Sequence, residues 1–232
     1  MAASDFVLVQ GLRSTRGVLV RWNLEPWPVV RRWVLGAACV TAALLVATLI
    51  VASVATPDST IRLLPGLNEP AGLGDVWKIV WLNSLVLALH SFACVAGFIA
   101  GSSLPAEAER YSGVTRRIHD HAGKFAIAFV ACATLFSLST QAYILGSSAS
   151  TLAAQNHMSP ALLIVSILPH AIPELIALFM PLAAWLVASR RDEWHELLAA
   201  TFVTTTLAAP TLVLAALVEV FVSPHLIILL RG

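Results

Sequence analysis

From residue 33 to residue 55 the chain runs for 23 residues without one charged side chain. A helix rises about 1.5 Å per residue and the hydrocarbon core of a bilayer is about 30 Å thick, so such a run is long enough to cross it. It is too long for the apolar part of a cleavable leader, which spans about 7 to 15 residues, even though Ser53-Val54-Ala55 resembles a cleavage site. Four more apolar runs follow, over about 77–104, 125–146, 160–189 and 197–222. In lipid every backbone polar group must find its partner within the protein, which leaves helices as the answer for apolar runs of this length. The expectation is an all-α, polytopic membrane helix bundle of five transmembrane helices. Composition agrees. Charged residues make up only 12% of the chain, half of the roughly 25% found in soluble domains. That is too few to solvate a globular surface.

The placement of the charges sets the topology. Residues 1–32 carry Arg13, Arg16, Arg21, Arg31 and Arg32 among Phe6, Leu8, Leu12, Leu19 and Trp22. This basic, partly apolar segment is expected to lie on the cytoplasmic membrane face, broken by Pro26 and Pro28, ahead of a transmembrane domain over 33–232. Residues 105–124 form a polar connection with Arg110, Arg116, Arg117 and Lys124, and with His119 and His121 read as solvated. The loop at 57–75 is rich in proline and glycine, and the one at 147–159 has no Lys or Arg. With the N-terminus inside, 11 basic residues fall on the cytoplasmic side and three outside, which gives an N-in/C-out chain. Trp22, Trp27, Trp33, Trp185 and Trp194 then mark the inner interface, and Trp77 and Trp81 the outer one. Cys39, Cys94 and Cys132 all sit in apolar runs and read as small buried thiols, neither a disulfide framework nor a metal cluster.

Polar residues inside the spans are the candidates for function, because each must be compensated at lipid depth. The densest stretch is Leu168-Pro169-His170-Ala171-Ile172-Pro173-Glu174-Leu175, a histidine and a carboxylate one helical turn apart, with prolines that free backbone carbonyls. In the second span Asn83, His90, Gly97 and Gly101 share nearly one face, and the two glycines form a pair that permits close helix packing. Gln141, with Ser137 and Thr140, lies toward the end of the third span, and Glu219 toward the end of the fifth, beyond the kink expected at Pro210. From the helical rise, Asn83 lies about 9 Å, His170 about 15 Å, Gln141 about 8 Å and Glu219 about 5 Å from the outer ends of their spans. Asn83, Gln141, His170, Glu174 and Glu219 are therefore expected to converge in the outer half of the bundle, with His90 as a neighbour. Such a cluster can be a network fixing helix register, an ion or substrate pathway, or a metal site. A metal on His170 and Glu174 would need two further ligands, for which His90 and Glu219 are the candidates, and no His-Glu-x-x-His pattern is present. No metal, cofactor or catalytic residue is expected.

The stretch from Pro169 to Leu175 resembles the signature of the stage II sporulation protein M family, a Pro-His-Gly-x-x-Glu-Leu run in a late membrane span. Trp81-Leu82-Asn83-Ser84 is similar to that family's asparagine-containing early span, and Ala216 to Pro224 to its closing apolar-Glu-apolar-Pro segment. Ala171 stands where the family has glycine, and Ser84 where it often has a second asparagine. The resemblance implies an integral protein of the bacterial cell membrane, not an enzyme, that assembles or supports a membrane complex. In sporulating relatives that complex contains cell-wall-degrading proteins. The expected partners are the lipid bilayer and other membrane proteins, with a homo-oligomer compatible and no nucleic acid. A transporter or channel component using the polar cluster is the alternative.

Overall fold

The computed structural model describes residues 7–59, 61–103 and 113–231. Among these residues there is no strand, only an isolated bridge between Pro65 and Glu69. Seven α-helices follow in order: α1 (Val7–Leu24), α2 (Pro26–Val54), α3 (Leu73–Phe98), α4 (Gly113–Gln155), α5 (Pro160–Arg191), α6 (Leu197–Phe221) and α7 (Ser223–Leu230). A π-helical turn, Ile99–Ser103, extends α3, and a 3-10 turn, Trp194–Glu196, leads into α6. Five of these segments are long and apolar enough to cross a membrane: α2, α3 with its π turn, Ile127–Gln155 of α4, α5, and α6 with its 3-10 turn. The protein is thus an all-α membrane helix bundle.

Several element boundaries differ from the sequence expectation, each for a local reason. The first span starts at Pro26, because a proline in the first helical turn loses no hydrogen bond. The basic segment and the span are indeed separated here, with a bend at Glu25, and Pro26 and Pro28 lie in the first turn of α2. The connection expected at 105–124 lies partly outside the described residues, and from Gly113 onward it is helical. At the other end α4 continues nine residues past Gly146, through the run expected to be a polar loop. Ser147, Ser150 and Thr151 are small enough to pack, and the hydroxyls of Ser150 and Thr151 bond the connection that follows α2. α4 stops in a left-handed turn, with His157 at φ 54° and the Met158 amide donating to the Ala153 carbonyl at 3.0 Å. α5 stops the same way, with Asp192 at φ 61° and the Glu193 amide on the Ala188 carbonyl at 3.0 Å. Helix α7 is an addition to the expected elements, opened by Pro224 at its start. Of the three cysteines only Cys94 is buried; Cys39 and Cys132 lie on the exposed surfaces of their helices.

The chain divides into two compact units. The first comprises Met1–Ala37, Leu87–Thr134 and Phe179–Leu207. Its core is aromatic: Phe98, Trp185 and Trp194 pack with Cys94, Ala188 and Leu197, and Trp33 packs with Ala184 and Ala200. The Trp185 and Trp194 rings meet edge-on at 6.2 Å, and those of Trp22 and Trp33 at 5.2 Å. Gly101 is what lets an indole in, since a Cβ there would sit 2.3 Å from Trp194 Cγ. The Cys94 thiol donates to the Pro181 carbonyl at 2.9 Å. Helix α1 is held by Val18, which is buried, and by an ion pair from Arg21 to Glu196.

The second unit comprises Ala38–Val86, Leu135–Leu178 and Ala208–Gly232. Its core is built from smaller side chains, with Ala52, Ala149, Ala153, Leu163 and Ile227 in one cluster and Val76, Ala216 and Val220 in another. The connection between α2 and α3 is tied onto α4. Ser150 donates to the Ala55 carbonyl at 2.9 Å, and Thr151 accepts the Asp58 amide at 3.0 Å. Gln155 accepts the Arg62 amide at 3.3 Å. The same connection folds on itself, as Asn68 accepts the Leu64 amide at 2.6 Å and donates to the Arg62 carbonyl at 3.0 Å. Gly66, at φ 79°, sits against the corner between α6 and α7. A Cβ there would lie 2.9 Å from both the Val220 carbonyl and Pro224 Cγ, so both the conformation and the space require glycine.

Candidate functional site

Helix α5 carries the polar stretch into the second unit. It stays helical through Pro169 and Pro173. Pro169 is exposed, whereas His170 and Ala171 are buried and Glu174 is half-buried, so one face of the helix carries the histidine and the carboxylate inward. Ser166, one turn earlier on that face, is also buried and donates to the Leu163 carbonyl at 2.6 Å.

The partner of His170 is Ser223. The imidazole Nδ1 and the serine Oγ are 2.6 Å apart, with both side chains buried. Ser223 Oγ also lies 3.3 Å from the Val218 carbonyl. With the hydroxyl donating to that carbonyl, it accepts the Nδ1–H of the ring, and the bond then joins α5 to the α6–α7 corner. Ser223 is not among the polar residues that the sequence marks, although it falls inside the Ala216–Pro224 segment. The available signal was a Ser-Pro pair directly after a span, the pattern that opens a new helix and turns a hydroxyl back toward the bundle.

Glu174 meets two other groups. The Asn83 side chain on α3 and the Glu219 carboxyl on α6 both lie within interaction range of its carboxyl. Asn83 Nδ2 and Glu174 Oε2 are nonetheless buried atoms without a hydrogen-bond partner of ordinary geometry. Three helices of one unit therefore bring an amide and two carboxyls to one place at lipid depth, incompletely paired. Isolated charges are costly in that setting, and two adjacent carboxylates more so.

The remaining candidates lie elsewhere. Gln141 donates to Ser137 Oγ at 3.1 Å, one turn back on its own helix. Because α4 extends to Gln155, Gln141 lies about 21 Å from the end of that helix and not about 8 Å. His90 belongs to the first unit, where it is buried with its ring against Phe179 at 5.5 Å between centroids. The structure thus gathers Asn83, Glu174 and Glu219, joins His170 to Ser223 nearby in the chain, and leaves Gln141 on local business. His119 and His121 lie outside the described side chains. Among the described residues no three His, Cys, Asp or Glu side chains come together as a metal site would need.

The model of the stage II sporulation protein M family matches the chain over residues 36–224. The matched region holds Asn83, His170, Glu174, Glu219 and Ser223, and it leaves out α1. No curated protein and no solved structure matches the chain.

Proposed function

The chain belongs to the stage II sporulation protein M family, and from that premise we propose that it is a non-enzymatic subunit of a complex in the bacterial cell membrane, holding other membrane proteins in place. In sporulating relatives the proteins so held would be those that remodel the cell wall. One observation carries this reading: the spans differ in how far their own chain covers them. In the most apolar stretch of α5, 44% of residues are buried, but in that of α4 only 6%. Phe136 and Tyr143, seven residues apart on one face of α4, are both exposed. A helix left so bare has room for a helix of another protein, and large aromatic side chains supply contact area for it. The site residues support the same reading. His170 and Ser223 spend their bond fastening one helix to another, and the burial of the serine leaves its oxygen no approach for a substrate. The N-in/C-out topology is part of the proposal.

The test is affinity purification of the tagged chain from its native membranes in mild detergent, with the replacement of Phe136 and Tyr143 by alanine as the comparison. A membrane protein retained in fixed ratio by the wild type, and lost by the double variant at unchanged melting temperature, is the expected result. A second reading, transport, is favoured by the incompletely paired Asn83 and Glu174. Proteoliposomes of the purified chain alone decide between the two: substrate- or pH-dependent flux would replace the scaffold by a transporter.

A further inference from the structure

Helix α1 lies outside the region matched by the family, and the groove beside it has a composition of its own. The groove, about 520 Å³, is bounded by α1, the start of α2 and the Phe202–Val203 stretch of α6. Its walls are apolar, with Leu19, Val20, Val29, Val30, Phe202 and Val203, and Trp22 and Trp33 border it. Val20 and Phe202 are exposed, so no other part of the described chain covers this wall. Among the described residues, the polar ones lining the groove are Arg16 and Asn23, both exposed, and no carboxylate lines it. The helix forming one side, α1, has three arginines and no acidic residue. The neighbouring cleft is different. Arg21 and Arg32 share it with Glu25, Glu193 and Glu196, and Arg21 is already ion-paired to Glu196.

We propose that the groove between α1, α2 and α6 seats one anionic phospholipid, its phosphate held by Arg16 and its acyl chains lying along Val20, Val29 and Phe202. Three features of the groove match three features of that ligand. A cation without a competing carboxylate answers the phosphate. An apolar wall answers the acyl chains. Trp22, half-buried at the edge of the groove, answers the boundary between headgroup and hydrocarbon, where amphipathic indole rings collect. The consequence is a basic N-terminal helix tied to the bundle through a lipid, so that the membrane's anionic lipid content sets how firmly α1 is held.

The full chain, purified in mild detergent, is incubated with equal amounts of phosphatidylglycerol and phosphatidylcholine of identical acyl chains, and native mass spectrometry counts the lipids retained. One phosphatidylglycerol should be kept in preference to phosphatidylcholine. Arg16→Gln should lower that preference by about fivefold, the weight of one arginine at a membrane surface, whereas Arg16→Lys should keep most of it. Arg31→Gln removes another exposed charge that does not line the groove and should leave the count unchanged. Equal retention of the two lipids, or equal losses from the Arg16 and Arg31 variants, would overturn the proposal in favour of a diffuse surface charge. A second protein chain bound in place of the lipid, and released by Arg16→Gln, would overturn it in favour of a protein contact.

Discussion

The two units of the chain are held by different chemistry. In the first, indole rings fill spaces left by glycines, and the core gains most from tight apolar packing around Trp185 and Trp194. In the second, the core side chains are small, and hydroxyls, amides and one imidazole tie segments together. The difference shows what each kind of fastening can tolerate. Packing of rings against glycine has no slack, because the first atom added has nowhere to go. A hydrogen bond removed from a polar network costs less, since the groups left behind can shift or find water at the membrane edge.

The sharpest way to break this contrast is at Gly101. Valine there places a Cβ 2.3 Å from Trp194 Cγ and Cδ2, at the root of the ring, where rotation gives little relief. The expected loss is about 3 kcal/mol or more, at the upper end for overpacked cores. It would be read as a fall in melting temperature in detergent. Trp194→Ala is itself costly, but the double variant should lose clearly less than the sum of the two single losses, which a general helix-propensity effect of valine would not allow. Strictly additive losses would remove the packing explanation.

His170→Ala is the corresponding cut in the second unit, with an expected loss of about 2 kcal/mol for a buried hydrogen bond whose partner is left unmatched. Ser223→Ala should cost about as much, and the double variant clearly less than the sum. Strictly additive losses would show that the 2.6 Å contact carries no energy. A smaller effect, about 1 kcal/mol, is expected from Thr151→Val, which removes the acceptor of the Asp58 amide. Its signature is local: faster hydrogen exchange in the connection after α2, with the helices unaffected.

The spans were legible in the sequence because hydrocarbon imposes one rule on every residue of a crossing segment, and that rule is written in composition. Boundaries were less so. Ser147 to Gln155 has the polarity of a loop, but its small side chains suit a helix whose hydroxyls serve a neighbouring connection. That service becomes visible only when the Ala55 and Asp58 backbone groups are placed beside them. The inward face of α5 was readable from the cost of burying His170 and Glu174. Asn83 and Glu219 are among the residues that depth brings toward Glu174, and the structure sets both beside it. The partner of His170 was not readable, since spacing along one helix says nothing of which element faces it, and the structure supplies a hydroxyl from the α6–α7 corner. The depth of Gln141 went astray with the end of α4, and only the length of the helix corrects it.

The smallest effect on stability is expected at Glu174, and its smallness is the point. Glu174→Gln keeps the shape of the side chain, removes one of two neighbouring carboxyls, and supplies an amide that can donate to Glu219. Burying a neutral amide at lipid depth costs less than burying a carboxylate, and the repulsion between the two acids disappears. Stability should therefore stay level or rise by up to about 1 kcal/mol, within the range of an ordinary hydrogen bond. Glu219→Gln should do the same, and the two together should gain less than the sum, because one repulsion can be relieved only once. In the scaffold reading both variants keep their partner through purification. If instead Glu174→Gln lowers stability by as much as His170→Ala does, the carboxylate is itself a fastener. The loosely paired cluster of Asn83, Glu174 and Glu219 would then belong with the tight fastenings of the second unit and would offer no room for a transported ion.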